Sequence, residues 1–250
     1  MLKNFKFVVG AALVAASQLA AADTAEVKIS NLSLSVSGGG WWYYLPTGVD
    51  WVPVSAGTSV GLSNPSFADS AAVWHGQAAS SSVVDGASMA TASLTAKTPN
   101  TNLDGVSALA KVDVSGGQAG WSFAKVIDNQ ILVANGATIT VSMKVDSLLA
   151  AGAMSQGNAY IELCSTDFTT DTCLPANYTE AVVFGDTAYS GPSMLTASWT
   201  NPSTTANTWA KIHIGLTASA ESVAAVPEPS SMAMLLAGLA GVGIYRRRKG

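Results

Sequence analysis

Residues 138–145 read TITVSMKV, with apolar side chains at every odd position from 139 to 145 and hydroxyl or lysine side chains between them. Successive side chains of a β-strand point to opposite faces, so this period of two predicts a half-buried strand. Residues 210–218, AKIHIGLTA, repeat the pattern. One solvated face is typical of antiparallel sheets. The two segments therefore predict an all-β fold.

The same alternation recurs along the chain, with turn residues between the segments. Further strands are predicted at 27–36, 90–96, 106–114, 121–127, 159–164, 181–184 and 195–199. The apolar phase shifts by one residue near Asn31, which predicts a β-bulge. Many short strands separated by turns predict an antiparallel β-sandwich of jelly-roll-like form. Residues 38–86 read as long loops or an edge hairpin, and only residues 147–154 look helical.

The amino terminus has the three parts of a secretory signal peptide. Lys3 and Lys6 precede the apolar run FVVGAALVAA at 7–16, and the small residues Ala20 and Ala22 fit an A-x-A cleavage site. We therefore expect residues 1–22 to form a signal-peptide helix that is removed after passage through the Sec translocon, leaving Asp23 as the first residue.

The carboxy terminus, residues 226–250, has a second tripartite pattern. VPEPSS at 226–231 is followed by the uncharged run MAMLLAGLAGVGIY at 232–245 and then by four cations. We expect 232–245 to form a membrane helix, and a basic end stays on the cytoplasmic side. The run from 230 to 245 would span about 24 Å as a helix, against a hydrocarbon core of about 30 Å. This short length favours a temporary anchor. The stop-transfer cations are Arg246, Arg247, Arg248 and Lys249.

This tail resembles the PEP-CTERM sorting signal, over about the last 25 residues. The resemblance implies that Pro227, Glu228 and Pro229 are the motif recognised by an exosortase, a membrane protease-transpeptidase that cuts nearby. It also implies export through the inner membrane, transient anchoring by the tail helix, and release to the cell surface or the extracellular space. Such proteins are associated with exopolysaccharide and biofilm.

Removal of both ends leaves a body long enough for one domain, predicted as a β-sandwich at 23–218 with a linker at 219–225. Residues 23–226 contain six lysines, no arginine and 15 acids, a formal charge of −9. Phosphate contacts require cations, so this composition argues against nucleic acid as a partner.

Two cysteines, Cys164 and Cys173, lie nine positions apart. In an exported protein this spacing predicts a local disulfide that closes a loop. Two cysteines without neighbouring histidines are too few ligands for structural zinc. Asp167 and Asp171 lie in the loop but lack the spacing of a known calcium loop. We expect no metal site and no cofactor.

No catalytic motif is present in the sequence, and we expect the protein not to be an enzyme. His75 falls in a predicted loop, and His213 is expected to be a solvated residue on the polar face of its strand. Glu162 and Glu180 lie on or beside strands, which leaves a secreted glycoside hydrolase as a third reading because paired carboxylates perform that reaction.

Aromatic residues cluster early in the body. They are Trp41, Trp42, Tyr43, Tyr44 and Trp51. Adjacent residues of a strand point to both faces, so some of these rings would face away from the core. They either pack at an end of the sandwich or an interface, or form a platform for glycans. The leading functional hypothesis is a non-catalytic surface or matrix protein, with a carbohydrate-binding module as the alternative.

Overall fold

The computed structural model describes residues 22–38, 42–44, 56–63, 66–74, 76–99, 103–166 and 173–223. Within these ranges the chain forms fourteen strands in two antiparallel sheets of seven strands each. Sheet 1 contains β1 (Asp23–Ser37), β5 (Ala79–Asp85), β6 (Ser88–Leu94), β7 (Ala108–Val114), β9 (Thr138–Ala151), β12 (Thr187–Ala188) and β13 (Met194–Thr200). Sheet 2 contains β2 (Trp42–Tyr44), β3 (Ala56–Leu62), β4 (Ala68–Val73), β8 (Ala119–Val133), β10 (Gln156–Thr166), β11 (Cys173–Phe184) and β14 (Thr208–Glu221).

The two sheets pack face to face as a sandwich, which confirms the predicted fold class. Alternate side chains of both sheets form one buried apolar cluster. In β14, Ile212, Ile214 and Leu216 are fully buried, and in β9 the same holds for Ile139 and Met143. Burying each such side chain contributes about 1.5–3 kcal/mol, so this shared core stabilises the pairing of the sheets.

The strand order positions β8, β14 and β10 in the middle of sheet 2. That sheet runs β11-β10-β14-β8-β3-β4, and β2 pairs with the far end of β8. Sheet 1 runs β12-β9-β1-β7-β6-β5, and β13 also pairs with β9. The chain alternates between the sheets from β7 to β10, whereas β5, β6 and β7 form a meander within sheet 1.

The predicted bulge in β1 is confirmed. Asn31 has a φ of 51°, and the pairing of β1 with β9 shifts register between Ser30 and Ser33. Ile29 and Leu32 are buried on either side of it although they are three residues apart. An extra residue in a strand reverses the phase of the side chains that follow, so the bulge keeps both apolar runs on the core face.

Residues 147–154, which look helical in the sequence, are mostly strand. β9 continues to Ala151, where residues 147–151 pair with β1. Leu148 and Ala150 face the core. Helix propensity is a weak preference that tertiary pairing overrides, and here the pairing with β1 supplies the backbone hydrogen bonds.

The stretch 38–86 contains more regular structure than predicted. β3 and β4 form a hairpin at the edge of sheet 2, which agrees with the hairpin alternative, and β5 belongs to sheet 1. β14 continues to Glu221, three residues into the expected linker. Ser222 follows and accepts hydrogen bonds from the backbone N–H groups of Gly117 and Gln118 at 3.0 and 3.1 Å.

The predicted targeting helices fall outside the described residues, except for Ala22 at the end of the signal peptide. Ala22 is exposed, and β1 begins at the next residue. The part of the chain that the structure describes contains no helix long and apolar enough to cross a membrane.

Candidate functional site on the outer face of sheet 2

The outer face of sheet 2 carries a histidine, two tyrosines and several charged side chains that contact one another. Strand register divides this face into two halves. One half, the charged cluster, consists of Lys125, Asp128, Tyr160, Glu162, Tyr178, Glu180, Lys211 and His213. The other half, the aromatic half, consists mainly of uncharged side chains, with Glu221 at its end. Its uncharged members are Ser59, Trp121, Phe123, Gln156, Asn158, Phe184, Thr217 and Ser219.

The centre of the charged cluster is a chain of three side chains, Glu162, His213 and Tyr160. His213 Nδ1 lies 3.4 Å from a carboxylate oxygen of Glu162, and Nε2 lies 2.9 Å from the Tyr160 hydroxyl oxygen. With a proton on Nδ1, the imidazole donates to Glu162 and accepts the hydroxyl proton of Tyr160 through Nε2. His213 lies on the polar face of its strand, as expected. It is half-buried and contacts two side chains, so it is not the freely solvated residue that was expected.

A glycine makes room for this arrangement. The Tyr160 ring lies over Gly215, where a β-carbon would come within 2.5 Å of the hydroxyl oxygen and 2.8 Å of Cζ. Gly215 pairs with Tyr160 across β14 and β10, and the ring reaches past it to meet the His213 imidazole edge-on, with centroids 5.0 Å apart. A larger residue at 215 would displace the phenol from His213.

Asp128 links the cluster to two lysines. Its carboxylate oxygens lie 3.2 Å from Lys125 Nζ and 3.3 Å from Lys211 Nζ. Burial opposes ionisation of Asp128, but the nearby His213, Lys211 and Lys125 outweigh it and lower the pKa of this carboxyl below its ordinary value. Asp128 is therefore an anion that holds two cations on the centre of the sheet.

The two tyrosines of the cluster are stacked, with ring centroids 6.3 Å apart and planes inclined by 24°. The Tyr178 hydroxyl donates to Glu180 at 2.7 Å. Burial, followed by the bond to Glu180, raises the pKa of Tyr178 to about 12. Burial and the charges of Asp128 and Glu162 also raise the pKa of Tyr160.

This electrostatic setting determines what the cluster can do. A carboxylate–imidazole–hydroxyl chain can activate a hydroxyl as a nucleophile. Burial and neighbouring negative charges raise the pKa of Tyr160, so its hydroxyl keeps its proton in the resting protein. The cluster also ties β8, β10, β11 and β14 together through side-chain contacts. Among the described residues, no group of three or more His, Cys, Asp or Glu side chains is placed to hold a metal ion.

Glu162 and Glu180 face the same side of adjacent strands. Glu162 pairs with Tyr178 and Glu180 with Tyr160, so the two carboxylates are diagonal neighbours. Diagonal neighbours have β-carbons about 7–8 Å apart. Each already has partners: Glu162 lies against His213, and Glu180 accepts from Tyr178 and from Asn158 Nδ2 at 3.3 Å.

Trp121 dominates the aromatic half. Its indole lies over Gly61 of β3, where a β-carbon would meet Nε1 at 2.7 Å, and the side chain remains 45% exposed. A shallow open pocket of about 330 Å³ lies beside the ring. It is lined by Ser59, Val60, Ala68, Asp69, Ser70 and Trp121. This ring was not singled out in the sequence as a platform residue, because alternation does not show which aromatic stays uncovered.

The residues predicted as a glycan platform cannot be placed in the same way. Trp42, Tyr43 and Tyr44 form β2, whose backbone pairs with residues 131–133 of β8. Trp41 and Trp51 lie outside the described residues, as do His75, Asp167 and Asp171. Cys164 is fully buried and disulfide-bonded, and the chain contains one other cysteine, Cys173.

On the outer face of sheet 1, three pairs of hydroxyl side chains lie where β9 meets β13. Thr138 lies 2.8 Å from Thr200, and Thr140 lies 3.0 Å from Ser198. Ser142 and Thr196 form the third pair at 3.0 Å. These cross-strand hydroxyl bonds stabilise this part of the sheet. Elsewhere on the same face Lys111 pairs with Glu26 and Asp113, and Lys144 pairs with Asp146.

The sorting residues Pro227, Glu228 and Pro229 lie outside the described residues, as do the cations at 246–249. Comparison with known protein families identifies this segment: the family model for the "PEP-CTERM protein-sorting motif" matches residues 225–249. The chain carries a PEP-CTERM sorting motif. This confirms the resemblance drawn from the sequence.

Proteins with the PEP-CTERM motif are exported and sorted to the cell surface by an exosortase, so this chain is an exported exosortase substrate. The motif covers only the tail and says nothing about the activity of the sandwich. No curated protein and no solved structure matches the chain.

Proposed function

We propose that the sandwich is a non-catalytic component of the extracellular matrix or cell surface that associates with exopolysaccharide. The observation that carries this proposal is the sorting motif at 225–249, which directs a single sandwich domain to the outside of the cell. Export uses the Sec translocon, and the exosortase removes the tail after the body has crossed the membrane. The body then stays at the surface or in the matrix.

Two features of the sandwich support a passive role in a hydrated matrix. The outer face of sheet 1 presents three hydroxyl pairs beside its ion pairs, and the outer face of sheet 2 exposes Trp121 and Phe184.

Localisation and polysaccharide binding test this proposal together. Matrix material from producing cells should contain the protein, and the purified protein should migrate more slowly in a native gel that contains the cells' own exopolysaccharide. Bovine serum albumin in the same gel controls for non-specific retardation. Absence of the protein from matrix and surface fractions, or unchanged mobility in the gel, would overturn the proposal.

A secreted glycoside hydrolase is the second candidate, favoured by the placement of Glu162 and Glu180 on one face of adjacent strands. Two carboxylates on one surface are the groups that glycoside hydrolysis uses. Incubation of the protein with the exopolysaccharide and measurement of released reducing ends would test it. Release that disappears in both Glu162→Gln and Glu180→Gln would establish the hydrolase and replace the non-catalytic proposal.

A further inference from the structure

A row of four side chains crosses the aromatic half of sheet 2 at right angles to the strands. Trp121 pairs with Ser219, Ser219 with Gln156, and Gln156 with Phe184. These four residues are called the aromatic row. Neighbouring strands lie about 4.8 Å apart, so its two aromatic residues start about 14 Å apart.

Both rings of the aromatic row are open to solvent. Phe184 is 59% exposed and Trp121 45% exposed. Leaving large apolar side chains in water forgoes the stabilisation that burial would give. One face of the Trp121 indole packs on Gly61, which orients the ring and leaves its other side for a ligand.

The polar groups between the rings are neutral, and Glu221, two residues beyond Ser219 on β14, places an anion beside the row. Ser219 and Gln156 lie within the row. The next row contains Ser59 of β3 and then Phe123, Thr217, Asn158 and Val182 on the strands of the aromatic row. The serines, Thr217, Gln156 and Asn158 offer hydroxyls and amides, which both donate and accept hydrogen bonds. The one ionisable group lining the adjoining pocket is Asp69, whose carboxylate accepts a hydrogen bond from the backbone N–H of Ser82 at 3.1 Å.

This chemistry selects one kind of occupant. A ligand that stacks on two separated rings and meets hydroxyls and amides between them must be extended, with apolar faces and many hydroxyl groups. A charged polysaccharide finds no cation in the row, and an acidic one is also repelled by the body charge of −9 between residues 23 and 226. The open surface suits a chain that runs past the site better than a small molecule, which needs a concave pocket.

We infer that the aromatic row is a binding site for a neutral polysaccharide chain lying across the strands of sheet 2, with sugar rings stacked on Trp121 and Phe184. This inference rests on the proposed association with exopolysaccharide and names its site and ligand class. It places a glycan site on β8, β14, β10 and β11, whereas the platform at residues 41–51 stays a prediction.

The test uses the protein purified from producing cells and the neutral fraction of their exopolysaccharide, separated from acidic material by anion exchange. Binding is measured by native affinity electrophoresis and by tryptophan fluorescence. The wild type should be retarded, and its fluorescence should shift to shorter wavelength. Trp121→Ala and Phe184→Ala should each weaken binding by up to about tenfold, the effect of losing one aromatic stacking contact. Trp121→Phe should retain most of the affinity.

Trp74→Ala is the matched control, because Trp74 is 42% exposed but lies outside the aromatic row. It should bind as the wild type does. Circular dichroism checks that each variant keeps its strands. If the wild type binds but both alanine variants bind equally well, the inferred site is wrong while the proposed function stands. If the wild type binds no exopolysaccharide fraction, both fail.

Sedimentation separates a ligand site from a self-association surface. A wild-type dimer that Trp121→Ala dissociates, with no change in polysaccharide binding, would make the row an interface between two copies and overturn the inference. A single species in both proteins, together with weaker binding by the variant, supports it.

Discussion

The Tyr160 hydroxyl oxygen lies 2.9 Å from Nε2 of His213, and it reaches that position because Gly215 leaves room for the phenol ring. Tyr160 and His213 are 53 residues apart in sequence. Their contact joins β10 to β14 on the outer face of sheet 2. Several predictions about stability depend on this contact and on the charged groups around it.

Tyr160→Phe should lower the free energy of unfolding by about 1 kcal/mol, the net value of one hydrogen bond. Gly215→Ala should cost about 1–3 kcal/mol, because its new methyl group overlaps the phenol. Urea denaturation of the two single variants and of the double variant measures the coupling between them. Since the hydroxyl is the closest atom to the new methyl, the double variant should lose less than the sum. If the losses of unfolding free energy in the two single variants add up to the loss in the double variant, the contact between Tyr160 and the position of Gly215 is contradicted.

Asp128→Asn should destabilise the protein at pH 7 by about 1 kcal/mol, since both lysines lose their anion at a partly exposed site. The folded protein lowers the pKa of Asp128, so its contribution is present above the unfolded value near 3.8 and disappears as pH falls through the folded value. Urea denaturation should therefore give a difference between variant and wild type at pH 7 that shrinks as pH falls below 3.8.

Asp85→Asn is the control for Asp128. The Asp85 carboxylate accepts a hydrogen bond from the neutral side-chain amide of Gln118, whereas Asp128 lies against two lysines. A difference between Asp128→Asn and wild type that stays constant from pH 7 to pH 2 would show that Asp128 acts by packing and not by charge.

Tyr178 should ionise only near pH 12, which absorbance of phenolate at 295 nm would detect as a late transition in the folded protein. Glu180→Gln should move that transition to lower pH, because the Tyr178 hydroxyl loses a carboxylate acceptor and a neighbouring negative charge. Tyr178→Phe identifies the transition by removing it. A midpoint that is the same in wild type and Glu180→Gln would show that the hydrogen bond to Glu180 does not hold the proton.

Reduction of the disulfide should lower the free energy of unfolding by about 2–3 kcal/mol, the value expected for a closed loop of about ten residues. Thermal unfolding with and without dithiothreitol measures this effect. The double variant Cys164→Ser/Cys173→Ser should unfold at the lower temperature in both conditions. A wild type that unfolds at the same temperature with and without reductant would contradict a stabilising disulfide.

The sandwich could be predicted from sequence because period-two alternation and burial coincide in its central strands. In β14 from Ala210 to Ala220 and in β9 from Ile139 to Val145 alternate residues are apolar and buried, and the phase shift at Asn31 revealed the bulge in β1. The prediction failed where the signal was local. Residues 147–151 favour a helix by composition, but their pairing with β1 is a long-range contact that composition does not show.

The candidate site was predictable only in part. Alternation placed His213 on the polar face of its strand, but it does not give the register between strands. Only the register brings His213 beside Glu162 and Asp128, and Trp121 into one row with Phe184. The sorting motif was the opposite case, because its meaning lies in a contiguous stretch of sequence that needs no fold to be read.

The central claim is that a PEP-CTERM motif sends this sandwich out of the cell and is then removed. The intact mass of the native protein, measured separately in inner-membrane, surface and medium fractions, tests it most directly. The account predicts a species outside the cell that begins at Asp23 and ends near Pro227. A species that retains Arg246 to Lys249 and stays in the inner membrane would contradict it, because the tail would then be a permanent anchor.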